Sequence, residues 1–318
     1  MSSTFRILRP WATLAIGLCV LALGIHWVGL DAVGKALAAQ TTPRMALALA
    51  AIVAGTILGA WNCYRIAELK PHLTFRSFLP VYWRAWAIGL TVPGQVGDIV
   101  STLWQLRHRT GSLAFVAGRL IADKLITIAL VLLLASSLPA ALGLLMFPAS
   151  LLVPLATGLV LIFGVALARW LGRGGPPSED TSGWRAKVAL VVRAANVPPP
   201  LLAVNATVTL AKTLLTGVAY WAVLSTVGTH LSEFPTVLAI SQSAGLVAYV
   251  PVSFNGIGTV EFSAIHLFGI AGYAAPHVLA SYVFLRVASL IAAWIPVAGL
   301  SLREALSRPG PSGTSKDP

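Results

Sequence analysis

The sequence has 318 residues, 57% of them hydrophobic and only 10% charged, with a mean hydropathy of +0.83. Soluble domains carry about a quarter charged residues, so this composition excludes a soluble protein and predicts an all-α polytopic membrane protein. The net charge of +12 does not imply nucleic acid, because the basic residues fall in short clusters between apolar runs, as orientation signals do, and no nucleic-acid module is present.

In chain order, Arg6 and Arg9 precede an apolar run at 11–30. That run is long for a signal peptide, and Asp31 and Lys35 interrupt the approach to the cleavage-like "ALA" at 36–38. It is therefore expected to be a retained first span. Further runs long enough to cross lie at 45–66, 115–142, 149–170, 201–228 and 277–302. The stretches 78–106 and 235–270 are apolar too, but each is broken near its middle by a Pro/Gly cluster. Their halves, about 12–17 residues, suit re-entrant hairpins better than full crossings.

Charge orders these elements. Arg65, Lys70 and Arg76 mark an inside loop, as do Arg107 and Arg109 on the far side of the first broken stretch. The region from Arg169 to Arg193 and the tail with Arg303, Arg308 and Lys316 are also basic, while 229–234 and 271–276 hold no Lys or Arg. Six full spans plus two re-entrant hairpins, with both termini cytoplasmic, satisfy the positive-inside rule throughout. The chain reads as one transmembrane domain over 1–302. The inside loop 172–200 holds a possible interfacial helix in "GWRAKVALVVRAANV", and the tail 303–318 reads as disordered.

The organisation repeats. A span, a hairpin and a span fill about 45–142, and the same order fills about 201–302 with opposite topology. "VPGQVGDIV" in the first unit answers "VSFNGIGTVEF" in the second: glycine, spacer, glycine, then an acid. Inverted repeats whose broken helices meet near the midplane are a recurring transporter plan.

The hairpin tips are the candidate site. Pro93, Gly94 and Gly97 in one, and Asn255, Gly256 and Gly258 in the other, precede new half-helices. The first amides of those helices could hold a phosphate, or the glycines could simply make tight turns. Asp98 and Glu261 sit in the first turns and either cap the helix or carry a proton. Lys212 and Arg286 lie roughly 16 and 13 Å into their spans. They either neutralise acids, as in Arg286 with Glu261 or Lys212 with Asp98, or bind an anionic headgroup. Asp123 and Lys124 are adjacent and so occupy different helix faces, one of them toward the cavity. Arg119 is near enough to the inside face to snorkel. Arg84, between Trp83 and Trp86, is a headgroup contact or an interface anchor. Cys19 and Cys63 read as small hydrophobes, the six histidines form no ligand spacing, and neither metal nor cofactor is expected.

The order "TVPGQVGDIVSTLWQLRHRTG…ADKL" followed by "PVSFNGIGTVEF…LRVASL" resembles the flippase-like family that includes the transmembrane region of lysylphosphatidylglycerol synthase. The resemblance covers roughly 45–302. Pro93, Gly94, Gly97 and Asp98 fit its first motif, Asp123 and Lys124 its acid–base pair, and Gly256, Gly258 and Glu261 its second motif, with Arg286 in the last span. Ser101 stands where the family often has Arg, and Asp98 where Glu is commoner. The soluble lysyl-transferring domain is not in the sequence, so the resemblance is to a stand-alone member.

The resemblance implies translocation of an anionic or aminoacylated phospholipid, or a polyprenyl-phosphate-linked sugar, across a bacterial or archaeal cytoplasmic membrane. On this reading the chain is not an enzyme. Arg84, Lys124, Lys212 and Arg286 join the tip residues in binding substrate, and Asp98, Asp123 and Glu261 handle protons. The partner is a membrane lipid, with a second copy or a lipid-synthesis enzyme as the protein partners to consider. The alternatives are an intramembrane lipid-modifying enzyme using Asp98 or Glu261 as general base, or an accessory subunit of a lipid-synthesis complex.

Overall fold

A computed structural model describes residues 3–92, 97–110, 112–143, 154–159, 191, 193, 195–225, 231–249 and 253–306. Its described residues are helical with short connections. The first helix, α1 (Ser3–Val28), meets α2 (Leu30–Ala38) at an 87° bend. Gly29 makes the bend at φ 93°, a conformation side chains resist. Helix α2 begins where the apolar run 11–30 ends. It is short and amphipathic, and Val33 and Ala36 bury against the second half of the chain.

Three further elements complete the first half. They are α3 (Thr42–Ile66), the pair α4 (Phe75–Leu90) and α5 (Gly97–Leu106), and α6 (Leu113–Ala135) followed by the short α7 (Leu138–Ala141). Local chemistry sets the starts: Pro43 opens α3, Thr74 Oγ1 accepts the Ser77 N–H to cap α4, and Ser112 Oγ accepts the Phe115 N–H to cap α6. The second half holds α8 (Pro199–Leu224), the pair α9 (Phe234–Leu246) and α10 (Thr259–Ile270), and α11 (Ala275–Leu306).

By length and composition α3, α8 and α11 can each cross a membrane, and the bent α1–α2 pair makes a fourth if it is counted as one span. Helix α6 has 23 residues but carries Arg119, Asp123 and Lys124. The four hairpin limbs have 16, 10, 13 and 12 residues. Even the longest reaches only about 24 Å, short of a hydrocarbon core of about 30 Å.

Packing is crossed between the halves. Helix α3 runs against α8, α4 packs on α11, and α9 packs on α6. Small residues let α3 and α8 approach: Ala48 and Ala51 bury against Ala219 and Ala222. Phe268, Ile240, Leu279 and Tyr282 fill the core of the second half, and Phe78, Leu106, Val116 and Leu69 that of the first.

Two sequence expectations change here. The span expected at 115–142 ends at Ala135 and breaks before α7. Arg119 does not snorkel outward: it is 6% exposed, and its Nη2 donates to Glu68 at 2.7 Å. Glu68 reaches it from a left-handed turn at φ 52° just after α3. The expected span 149–170, loop 172–200 and tail beyond 306 lie largely outside the described residues, of which 154–159 are helical. Pro93, Gly94 and Pro251 lie outside them entirely.

Candidate functional site

The second hairpin turns on three residues of left-handed backbone, Asn255 (φ 47°), Gly256 (φ 72°) and Gly258 (φ 78°). Only glycine fits at Gly258. An added Cβ would strike the Gly17 carbonyl and sit 2.8 Å from the Leu21 nitrogen, because α1 crosses directly over the tip. Helix α10 starts immediately after. Its first-turn acid, Glu261, is 2% exposed and accepts the Gly258 N–H at 2.7 Å. That hydrogen bond holds an amide which the helix leaves without an internal partner.

The other oxygen of Glu261 receives Arg286. Arg286 Nε donates to Glu261 Oε1 at 2.6 Å, and Nη1 donates to the Asn255 carbonyl at 3.3 Å. The guanidinium thereby fixes both the acid and the turn that presents it. Asn255 also reaches the other half of the chain, donating from Nδ2 to the Leu90 carbonyl at 3.1 Å. Leu90 ends α4, the entering limb of the first hairpin, so the two hairpins are joined at this hydrogen bond.

The first hairpin repeats the acid–base arrangement with other residues. Asp98, in the first turn of α5, accepts Lys124 Nζ of α6 at 2.9 Å. Its other oxygen accepts the Ile99 N–H at 2.9 Å. Gly89 of α4 lets the two limbs close here, since a Cβ on it would lie 3.0 Å from the Asp98 Cβ. Gly97 packs equally tightly against Val92. The partner of Asp98 is thus Lys124, not Lys212. Asp98 and Lys124 are 26 residues apart and Glu261 and Arg286 are 25 apart, so each half ties its hairpin to its own following helix.

Between the first hairpin, α3, α6 and α8 lies a cavity of about 60 Å³, lined by Cys63, Tyr82, Trp86, Asp98, Asp123, Lys124 and Lys212 among others. Two carboxylates and two ammonium groups make it neutral in sum. The Lys212 stem lies in a groove on α3, where a Cβ on Gly55 would contact its Cγ at 3.8 Å and one on Gly59 its Cδ at 3.4 Å. Asp123 is held from two sides: Asn62 Nδ2 donates to its Oδ1 at 3.1 Å and Asn205 Nδ2 at 2.7 Å. The Cys63 thiol lies 3.6 Å from its Oδ2.

Of the residues singled out in the sequence, Asp98, Asp123, Lys124 and Lys212 therefore meet in one cavity. Asn255, Gly256, Gly258, Glu261 and Arg286 form a second cluster at the other tip. Arg84 is half-buried on α4 and is not among the lining residues. Its neighbour Trp83 anchors that helix to α11 by donating to the Ala292 carbonyl at 3.1 Å. Sequence reasoning missed Asn62, Asn205 and Cys63 as site residues. A lone amide within an apolar run was the available signal, since a buried polar group needs a partner.

No curated protein matches the sequence. Residues 11–296, nearly the whole chain, match the lysylphosphatidylglycerol synthase TM region. With its helical membrane architecture and paired acid–base tips, the chain belongs to that family of lipid-related membrane proteins.

Proposed function

We propose that the chain is a flippase that carries an anionic lipid or a polyprenyl-phosphate-linked glycan between the leaflets of a bacterial or archaeal cytoplasmic membrane, without altering it chemically. In this reading the limb pairs are re-entrant, the two units form an inverted repeat among six spans, and both termini are cytoplasmic. The crossed packing of α4 on α11 and α9 on α6 supports such a repeat. So does the near-equal spacing of the two acid–base pairs.

One observation carries the proposal: each hairpin tip presents a carboxylate already matched to a cation on the next helix, and Asn255 joins the two hairpins. A lipid phosphate arriving at Lys124 or Arg286 competes with Asp98 or Glu261 for the same cation. A carboxylate left without its cation inside a membrane protein takes up a proton more readily. Exchange of partner and proton would then alternate which side is open. The cavity of about 60 Å³ holds about two waters, far below the ~300 Å³ of a small ligand site. The structure is therefore read as an occluded state whose hairpins part to admit a headgroup while the tails stay in lipid.

Reconstitution into vesicles carrying a headgroup-labelled anionic phospholipid tests this. The expected result is faster exchange between leaflets than in protein-free vesicles, with the lipid unchanged by mass spectrometry. A new lipid product would overturn it in favour of an enzyme.

A further inference from the structure

The seam between α3 and α6 runs from the cavity to the turn that bears Arg65 and Lys70, and three contacts mark its length. At the cavity, Asn62 donates to Asp123, and the Cys63 thiol lies beside the same carboxylate. Further along, Ile66 and Ala122 bury in one apolar cluster with Val197. At the far end, Arg119 Nη2 donates to Glu68 Oε1 at 2.7 Å.

Both residues of that last contact are out of the ordinary. The turn after α3 closes with the Glu68 N–H on the Arg65 carbonyl and the Leu69 N–H on the Tyr64 carbonyl. Glycine usually takes the left-handed position of such a helix end. Gly272 does so after α10, with the same two hydrogen bonds, from Gly272 to Gly269 and from Tyr273 to Phe268. After α3 the position is held by Glu68, at φ 52°, against the strain a side chain meets there. The backbone does not ask for a glutamate, but only a long acid reaches across to α6. Arg119 is 6% exposed, with its guanidinium 4.9 Å from the centre of the Phe115 ring. Its Nε and Nη1 are buried and have no hydrogen-bond partner. A deep cation is thus compensated by one contact, with a carboxylate side chain that is itself 49% exposed.

We propose that Glu68 and Arg119 form a latch that closes the cavity at this end of the α3–α6 seam. An uncompensated buried charge is strongly destabilising, so Arg119 turns toward water once Glu68 lets go. That draws the start of α6 off the layer of Ile66 and Val197. Asp123 stands one turn along the same face of α6 as Arg119, and Lys124 follows it, so the movement reaches the cavity wall. Glu68 suits the moving part, being half in water on a strained turn. The latch is a property of the cavity and is independent of the transport reading.

Cys63 reports the opening, since it lines the cavity and Cys19 is the other cysteine of the chain. The test times the reaction of Cys63 with N-ethylmaleimide, a neutral reagent too large for a cavity of about 60 Å³, in full-length Cys19→Ser protein in detergent. Rising salt should speed the reaction, because it screens a half-exposed pair. Glu68→Gly, which keeps the turn and relieves its strain, and Glu68→Gln should each react roughly fivefold faster, the scale of a partly exposed ion pair. Lys70→Gln, a charge change at an exposed position of the same turn, should react as the parent does. A parent rate that salt leaves unchanged would overturn the latch, whether or not any variant folds. So would a Glu68→Gly protein that melts with the parent and reacts no faster, or a Lys70→Gln protein as fast as Glu68→Gln.

Discussion

Arg286 and Glu261 form the tightest charged contact at the second tip, Nε to Oε1 at 2.6 Å, and the same carboxylate holds the Gly258 N–H at 2.7 Å. The guanidinium also holds the Asn255 carbonyl. Removing Arg286 thus leaves a carboxylate that is 2% exposed without its cation and releases the turn that presents it. Arg286→Ala should destabilise the protein by about 3 kcal/mol, the range for breaking a buried pair. Adding Glu261→Gln should recover much of that loss, because the uncompensated charge is gone. Thermal unfolding of both variants in detergent checks the sign. A double variant no more stable than Arg286→Ala would contradict the account.

The contact of the second tip with α1 rests on two glycines. A Cβ on Gly258 would meet the Gly17 carbonyl, and one on Gly17 would lie 2.9 Å from the Ile257 carbonyl. Gly258→Ala should therefore cost more than about 2 kcal/mol, since strain at φ 78° and a backbone clash act together. Gly24 of the same helix has nothing within 4 Å of its added Cβ, so Gly24→Ala should be neutral or slightly stabilising. Comparison of the two variants' Tm separates close packing from a general dislike of alanine in α1.

Away from the tips, Tyr273 donates its hydroxyl to Glu233, joining the start of α11 to the start of α9. Burial, and then this hydrogen bond, push its phenol well above the ordinary value of about 10. A raised phenol favours the folded state fully while both states are protonated. The benefit shrinks once the pH exceeds about 10 and the unfolded chain ionises while the folded one does not. Stability of the wild type should therefore fall above about pH 10 more steeply than that of Tyr273→Phe. Parallel pH–Tm profiles for the two would contradict this.

Topology has its own test. Ser232 precedes α9 and Ala274 follows α10, and both are exposed. If those helices form a re-entrant hairpin, Ser232→Cys and Ala274→Cys, each in a background without Cys19 and Cys63, should react with an impermeant thiol reagent from the same side. Labelling from opposite sides would contradict the hairpin.

Much of this architecture was legible because membrane physics leaves large marks. The apolar runs at 45–66, 201–228 and 277–302 correspond to α3, α8 and α11 within a few residues, since a span needs a fixed length. The breaks near Gly97 and Asn255 both appear as limb pairs, and at the second one glycine at positive φ punctuates the helix whatever its neighbours. The partners were harder. The same 13–16 Å of depth applied to Lys212 and Arg286, yet of the two only Arg286 forms an ion pair among the described residues, because pairing depends on which face each helix turns inward. Adjacent Asp123 and Lys124 serve different partners for that reason, one the Asn62–Asn205 pair and the other Asp98. Arg119 was misplaced because the turn bearing Glu68 folds over it, a contact 51 residues away in sequence.

The central claim, that the two hairpins part to pass a lipid, is tested most directly at the hydrogen bond between Asn255 and Leu90. The measurement is leaflet exposure of a headgroup-labelled anionic lipid in vesicles holding an Asn255→Cys/Leu90→Cys variant without Cys19 and Cys63. The account predicts exchange while the thiols are reduced, arrest when a short bifunctional thiol reagent joins them, and recovery when a cleavable reagent is reduced. Exchange no faster than in protein-free vesicles, for the reduced variant and the wild type alike, or exchange that continues at full rate when the hairpins are joined, would contradict it.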